Sequence, residues 1–471
     1  MTDLPSKAPS LATRISKQAR LDLQSRLPDG RLLASPDALA AHARDETEDF
    51  EFLPELVARP RSTEEVARIL AWAHEHCVPV TPQGARTGLS GGALPILGGL
   101  ALSLEGLDRI RRIDPDDSVA EVEAGVVTGR LHEEAAAVGL YYPPDPASSE
   151  TCLLGGNLAE DSAGPHSCKY GTTRRFVLGL EAVAADGRIF RTGGANRKDV
   201  TGYDLTQLLV GSEGTLAVLT AATLRLLRLP RSRLVLGFGF ASLEEGARAV
   251  LDIFGAGLEP AACELMEARA LELVGRIIEL PAPLRKARSF LLLELDGDDE
   301  DQVLSRAEAA AGLFPTVEAL VARDPRERRR LWKVRSRIGE AVKAHSPYKE
   351  VDAVVPRSRL VELVDAARRA AAGAGLECVC YGHAGDGNLH VNLQRGDLRQ
   401  ADWDGRRDEA ERSLVDAVLA LGGAVSGEHG IGWTQRKHMN RGIDPTTLDL
   451  MRRVKSALDP RGILNPGKIF P

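Results

Sequence analysis

Pro82-Gln83-Gly84-Ala85-Arg86-Thr87-Gly88-Leu89-Ser90-Gly91-Gly92 places four glycines within nine residues. Glycine lets backbone N–H groups come close to a ligand. Thr87 and Ser90 add hydroxyl donors. Such a nest of amides suits a pyrophosphate. The spacing is neither a Walker loop nor G-x-G-x-x-G, so a nicotinamide-binding doubly wound domain is not indicated. An ordinary glycine-rich turn is the alternative, and the rest of the chain has to choose between them.

Upstream of this loop, STEEVARILAWAHEHC (residues 62–77) has the periodicity of an amphipathic helix, with Ser62 or Thr63 as its cap. Around and after it come short β-rich pieces, VPVTP, LALSLEGL and SVAEVEAGV. Their Gly and Pro punctuation predicts small sheets rather than one long parallel sheet. A further β-rich stretch spans Val177 to Leu229, with Ala184 to Arg188 as a hairpin turn. After Pro230 the pattern changes. Strand-like LVLGFGF and SFLLLELDG alternate with helical SLEEGARAVLDIF and DDEDQVLSRAEAAAGLF. The expected class is therefore α+β. The expected segments are a polar helical arm over residues 1–50, a ligand-binding domain over 51–230, and a second domain over 231–471 with an antiparallel sheet and a helical end.

Three more glycine-rich clusters follow the first. Pro143-Pro144-Asp145-Pro146 precedes Gly155-Gly156-Asn157, Ser162-Ala163-Gly164 and Lys169-Tyr170-Gly171. Asn157, Ser162 and Tyr170 can hydrogen-bond a heteroaromatic edge, and long ordered loops are usually functional. Gly211-Ser212-Glu213-Gly214-Thr215 precedes a strand-like run. The sharpest cluster is His383-Ala-Gly-Asp-Gly-Asn-Leu-His390-Val-Asn392, behind the β-like ECVCYG. His390 and Asn392 sit two apart, on one side of a strand. Gly427-Glu428-His429-Gly430 comes later. Two imidazoles and a carboxylate can hold a divalent metal with open positions, or form a structural site closed by a fourth ligand.

Composition narrows the classes. The chain has 471 residues and a net charge of −7, which argues against a nucleic-acid surface. No apolar run is long enough for a transmembrane helix, and the start of the chain lacks a secretory apolar core. Six scattered cysteines, with no C-x-x-C pair, suit reduced thiols in a cytoplasm and argue against an internal iron–sulfur cluster.

With these motifs in this order, residues 50–471 resemble the FAD-linked oxidases of the vanillyl-alcohol-oxidase (PCMH) type. The branch that looks nearest contains D-lactate dehydrogenase, glycolate oxidase flavoprotein subunits and D-2-hydroxyglutarate dehydrogenase. Lys198–Thr220, the HAGDGNLHVN segment, GEHGIG and the ending Asp459–Lys468 carry the resemblance. It implies a two-part PCMH-type FAD domain followed by a substrate domain. The pyrophosphate would lie on Pro82, Gln83, Gly84, Ala85, Arg86, Thr87, Gly88, Ser90 and Gly91. The rest of a non-covalent FAD would be lined by Pro144, Asp145, Gly155, Gly156, Asn157, Ser162, Gly164, Tyr170, Gly171, Glu213, Gly214 and Asn465. His383, His390 and Glu428 would bind zinc or manganese. His429 would act as general base, Asn392 would contact substrate, and Arg335 and Lys349 would grip a substrate carboxylate.

There are departures from the family pattern. Gln83 stands where arginine is usual, Glu160-Asp161 replaces Thr-Asn, and Gly339 replaces a hydroxyl residue that helps hold hydroxyglutarate. The implied activity is oxidation of a D-2-hydroxy acid, D-lactate-like, to the 2-oxo acid by hydride transfer to flavin N5. The alternatives within the branch are a glycolate oxidase-like subunit or a D-2-hydroxyglutarate dehydrogenase. A metal-dependent hydrolase and a non-catalytic flavin-binding subunit are the alternatives of other classes. The electron acceptor would be a quinone, a cytochrome, an electron-transfer flavoprotein or an iron–sulfur subunit. Such a partner could place the chain at a membrane periphery, and a homodimer is the default oligomer.

Overall fold

A computed structural model describes residues 11, 14–47 and 50–471. The other residues of the expected 1–50 arm lie outside the described set. The fold is α+β, in two compact units: the described residues of 1–162, with 172–229 and 428–471, form the first, and 163–171 and 230–427 the second. Neither unit is one continuous stretch. The expected 231–471 segment thus contributes its last 44 residues to the first unit's packing.

In the first unit, helix Thr63–His76 is capped by Ser62, whose hydroxyl accepts from the Glu65 amide. Its apolar stripe, Val66, Ile69, Leu70, Trp72 and Ala73, is buried. It shares a core with a small sheet in which Leu56–Ala58 and Val80–Gln83 lie parallel to Leu100–Ser103. The chain end joins that core. Leu464 bridges Val80 in parallel, and the Asn465 amide donates to the Val80 carbonyl at 2.8 Å. Helix Lys17–Arg26 is tied on by Trp72, whose indole donates to the Ala19 carbonyl. A second sheet is antiparallel throughout, in the order Ile110–Asp114, Val119–Glu123, Val218–Arg225, Val177–Val183 and Ile189–Gly193. The hairpin at Ala184–Arg188 closes as its sequence predicts, with the Ala184 amide on the Arg188 carbonyl.

The second unit is built on seven antiparallel strands. Their order is Ala319–Ala322, Ser232–Phe240, Ser289–Gly297, Ala262–Glu267, Glu377–Gly382, Asn388–Gln394 and Tyr348–Val354. One face carries Leu236, Phe238, Leu291, Leu293, Val391 and Leu393 under the helices Leu243–Gly255, Glu300–Gly312, Leu360–Gly373 and Gln400–Ala420. The opposite face is apolar at Met266, Phe290, Leu292 and Val379 and polar toward the Asn388–Gln394 side. No helix among the described residues is long and apolar enough to cross a membrane.

Candidate functional site

The glycine-rich loop of the first unit leaves strand Val80–Gln83 and passes close to the start of helix Leu154–Glu160. A Cβ on Gly84 would lie 3.7 Å from the Gly156 amide nitrogen, and one on Gly214 would lie 3.2 Å from Pro82. Three of the expected cofactor segments therefore converge. Ala85, Arg86 and Thr87 are half-buried and Gly88 is exposed.

Several side chains in this group serve the unit's own architecture. Gln83 is buried, and its amide donates to the carbonyls of His42 and Ala93 at 3.0 and 2.7 Å. Arg86 is paired with Glu105 at 3.1 Å. Asn157 donates to the Thr128 hydroxyl, and the Ser162 carbonyl accepts from Thr173. His132 contacts the Pro144 carbonyl at 2.9 Å, next to Asp145. Asn465 donates to the carbonyls of Gly92 and Glu213.

A buried charged cluster lies behind the loop. Glu213 accepts from the amides of Ile431 and Gly432 at 2.9 and 2.6 Å, holding the GEHGIG segment. Ser90 donates to Glu160 Oε1 at 3.2 Å. Glu160 Oε2 faces Gly430, where φ is +82° and a Cβ would lie 2.1 Å away, so any other residue would be strained and would force Glu160 to shift. Burial, and then the Glu213 charge, raise the Glu160 carboxyl well above the usual range. Burial pushes the Lys468 ammonium down to about 7, against the pull of Asp45, Glu213 and Glu160. Lys468 donates to the carbonyls of Gly92 and Leu94. In the same unit, His429 Nε2 lies 3.8 Å from Glu428 Oε1.

In the second unit, segment 163–171 is held at the strand Ser289–Gly297. Tyr170 donates to Asp296 at 2.6 Å, Lys169 pairs with the same carboxylate, and His166 contacts Glu294 at 3.2 Å. The Gly164 amide donates to the Ser167 hydroxyl and the Gly171 amide to the Ser167 carbonyl.

The His383–Asn392 segment makes the expected turn and strand. The amides of Asp386 and Asn388 donate to the His383 carbonyl. Gly387, at φ +77°, lies so near the Val355 carbonyl that a Cβ would stand 2.0 Å from it. The chain then returns as Asn388–Gln394, with His390, Asn392 and Gln394 on one face. The rings of His383 and His390 meet edge to face, centroids 5.3 Å apart, and both are buried. Neither end of the Asn392 or Gln394 amide reaches hydrogen-bonding geometry, although both are buried; the Tyr381 phenol is the polar neighbour of Asn392.

Register settles what else shares this face. Glu350 stands opposite Asn392, and its Oε1 is 3.5 Å from His390 Nδ1. Lys349 stands opposite Leu393, on the other face. Asp352, opposite His390, accepts from Ser426 and from the Gly427 amide, fixing the residue that precedes Glu428. Arg335 packs over the Tyr381 ring at 4.9 Å and donates to Glu264 at 2.6 Å, and Gly339 approaches the Tyr381 hydroxyl. Burial alone would raise the Glu264 carboxyl; His383 and Arg335 outweigh it and bring it to about 2. Sequence reasoning missed Glu264, Glu350 and Asp352. The one local signal was a carboxylate inside the apolar run ACELME.

Comparison with known proteins agrees with the geometry. Residues 54–193 match the FAD binding domain family, and residues 229–469 match the family of FAD linked oxidases, C-terminal domain. The chain is 37% identical over 444 residues to glycolate oxidase subunit GlcD of Bacillus subtilis, covering 94% of this chain and 92% of that one. It is 38% identical over 414 residues to a D-lactate dehydrogenase of Archaeoglobus fulgidus, covering 88% and 91%. Its fold matches that of p-cresol methylhydroxylase with substrate bound, at a TM-score of 0.80 and 16% identity over 98% of both chains. An FAD-binding domain, an oxidase C-terminal domain and full-length relatives together place this chain in the FAD-linked oxidase family, as an FAD-dependent oxidoreductase.

Proposed function

We propose that the chain oxidises a D-2-hydroxy acid with a single carboxylate, D-lactate-like, to the 2-oxo acid. The observation that carries this reading is the pair of buried amides Asn392 and Gln394, on the strand face that also carries His390, beside His383 and near Tyr381, the ring under Arg335. Buried polar groups without partners cost stability and are kept where a ligand completes them. Two imidazoles held edge to face fit a divalent ion such as zinc or manganese. His383, His390 and Glu428 would hold it, Glu428 following the pinned Gly427.

A divalent cation bound there supplies Lewis-acid polarisation of the substrate hydroxyl. FAD supplies the hydride acceptor, N5. His429 takes the hydroxyl proton, since imidazole titrates near neutral pH. Arg335 holds the substrate carboxylate as a planar fork, and Asn392 hydrogen-bonds the bound acid. Lys349 has no role in this scheme, because it alternates to the other face. Glu350 takes its place beside Asn392 and opposes a second negative group on the substrate. That disfavours a dicarboxylate such as D-2-hydroxyglutarate, and Gly339 disfavours it further. The naming of the Bacillus relative as a subunit supports a separate electron acceptor.

The test is anaerobic reduction of the metal-replete flavoprotein by D- and L-lactate, D-glycerate, glycolate and D-2-hydroxyglutarate. Rapid bleaching by a D-monocarboxylate is expected. A flavin that none of these acids reduces, or one that D-2-hydroxyglutarate reduces best, overturns the reading.

A further inference from the structure

Strand Ala262–Glu267 is buried at every position, yet Glu264 lies near its middle. A buried carboxylate persists when it is paired and hydrogen-bonded. Glu264 meets both conditions through two residues from different elements. Its Oε1 lies 2.8 Å from His383 Nδ1, in the turn after strand Glu377–Gly382. Its Oε2 accepts from Arg335 Nε at 2.6 Å, in the last turn of helix Pro325–Ser336.

A carboxylate oxygen 2.8 Å from a ring nitrogen accepts its hydrogen bond, so His383 Nδ1 is the nitrogen that carries a hydrogen. That leaves Nε2 as the nitrogen with which His383 would meet a metal, the arrangement in which a carboxylate orients a metal-ligating imidazole. On the other side, Arg335 is fixed twice, by Glu264 along its Nε edge and by the Tyr381 ring under its plane. The guanidinium plane is therefore set before an acid arrives, and less side-chain freedom is lost on binding.

We propose that Glu264 is the positioning residue of this site, one carboxylate that fixes the tautomer of His383 for a metal and the plane of Arg335 for a substrate carboxylate. The proposal rests on the 2-hydroxy-acid reading above. Both Glu264 oxygens are taken, by His383 and by Arg335, so it acts through them. Its loss weakens the grip on both, whereas loss of Arg335 weakens the grip on the acid alone.

The test compares the parent, Glu264→Gln and Arg335→Lys as full-length flavoproteins. Zinc and manganese affinity are measured by titration of each metal alone. KM and kcat are measured with D-lactate at saturating metal. In Glu264→Gln the metal dissociation constant is expected to rise ~10–100-fold, and KM about tenfold, with kcat changing less. In Arg335→Lys only KM is expected to rise. A Glu264→Gln variant whose metal affinity and KM both stay within twofold of the parent overturns the proposal.

The metal-free parent, labelled with ¹⁵N-histidine, gives a second measurement that needs no variant. A hydrogen on His383 Nδ1, in the neutral or the charged ring, supports the proposal, and the Nε2–H tautomer with a bare Nδ1 overturns it. This measurement decides the case if Glu264→Gln does not fold. A parent that binds neither metal and oxidises none of the acids sinks the reading beneath, and the tautomer still judges Glu264 separately.

Discussion

The glycine-rich loop of the first unit and the strand Asn388–Gln394 of the second are both dense in polar residues, but they treat those residues in opposite ways. Around the loop, Gln83, Asn465, Lys468 and Glu213 all bond to backbone of their own unit. These bonds hold the shape of the loop, which leaves its peptide N–H groups as the contacts it would offer a ligand. On the strand, neither end of the buried Asn392 or Gln394 amide reaches hydrogen-bonding geometry, and only the Tyr381 phenol stands near Asn392. Each such amide costs about 1–3 kcal/mol, a large share of a typical stability of ~5–15 kcal/mol. The difference separates a region whose polar side chains are already bonded from one that, under the proposed function, a ligand would complete.

The largest expected effect concerns neither scaffold but the proton itself. His429→Ala should slow flavin reduction by D-lactate ~10²–10⁴-fold in stopped flow. An unchanged rate would remove the imidazole from the chemistry. The cradle is tested by Gly430→Ala, which forces a Cβ against Glu160 at a positive φ. A loss of roughly 2–4 kcal/mol and poor flavin retention are expected. Full retention with an unshifted melting temperature would show that the cradle yields more easily than its bonding suggests.

The strand is tested by Asn392→Leu. Melting should stay level or rise by about 1 kcal/mol, because an unanswered amide is removed, while KM for D-lactate rises about tenfold. A variant that is both less stable and unaltered in KM would erase the contrast between the two regions.

The smallest effect is pH-dependent. The folded pKa of Glu160 lies above its unfolded value. Below the unfolded pKa both states hold the proton. As pH rises from there toward the folded pKa, the unfolded chain releases it first and stability falls. Glu160→Gln removes that loss. Its melting temperature should gain on the parent as pH rises above the ordinary carboxylate range. A difference that stays flat with pH would mean that Glu160 is not held protonated.

What could be read in advance was local. The cap and apolar stripe of residues 63–76, the hairpin at Ala184–Arg188 and the turn after His383 each depend on neighbours a few residues away. What escaped depends on distant partners. Glu264 meets His383 and Arg335 across 119 and 71 residues, and Asp352 meets Gly427 across 75. Lys349 and Glu350 are adjacent, and only the strand register says which one faces His390, since a one-residue step reverses the face. Nothing local marks residues 428–471 as packing with the first unit, because their tie is a pairing of Leu464 with Val80.

That pairing has a consequence for synthesis. Val80 leaves the ribosome long before Leu464, and at ~5–20 residues per second the interval is tens of seconds. Throughout it, the outer edge of strand Val80–Gln83 has no neighbour beyond Leu100–Ser103. A nascent chain stalled short of Ile463 displays an open sheet edge, the kind of surface that chaperones cover and that other chains can invade.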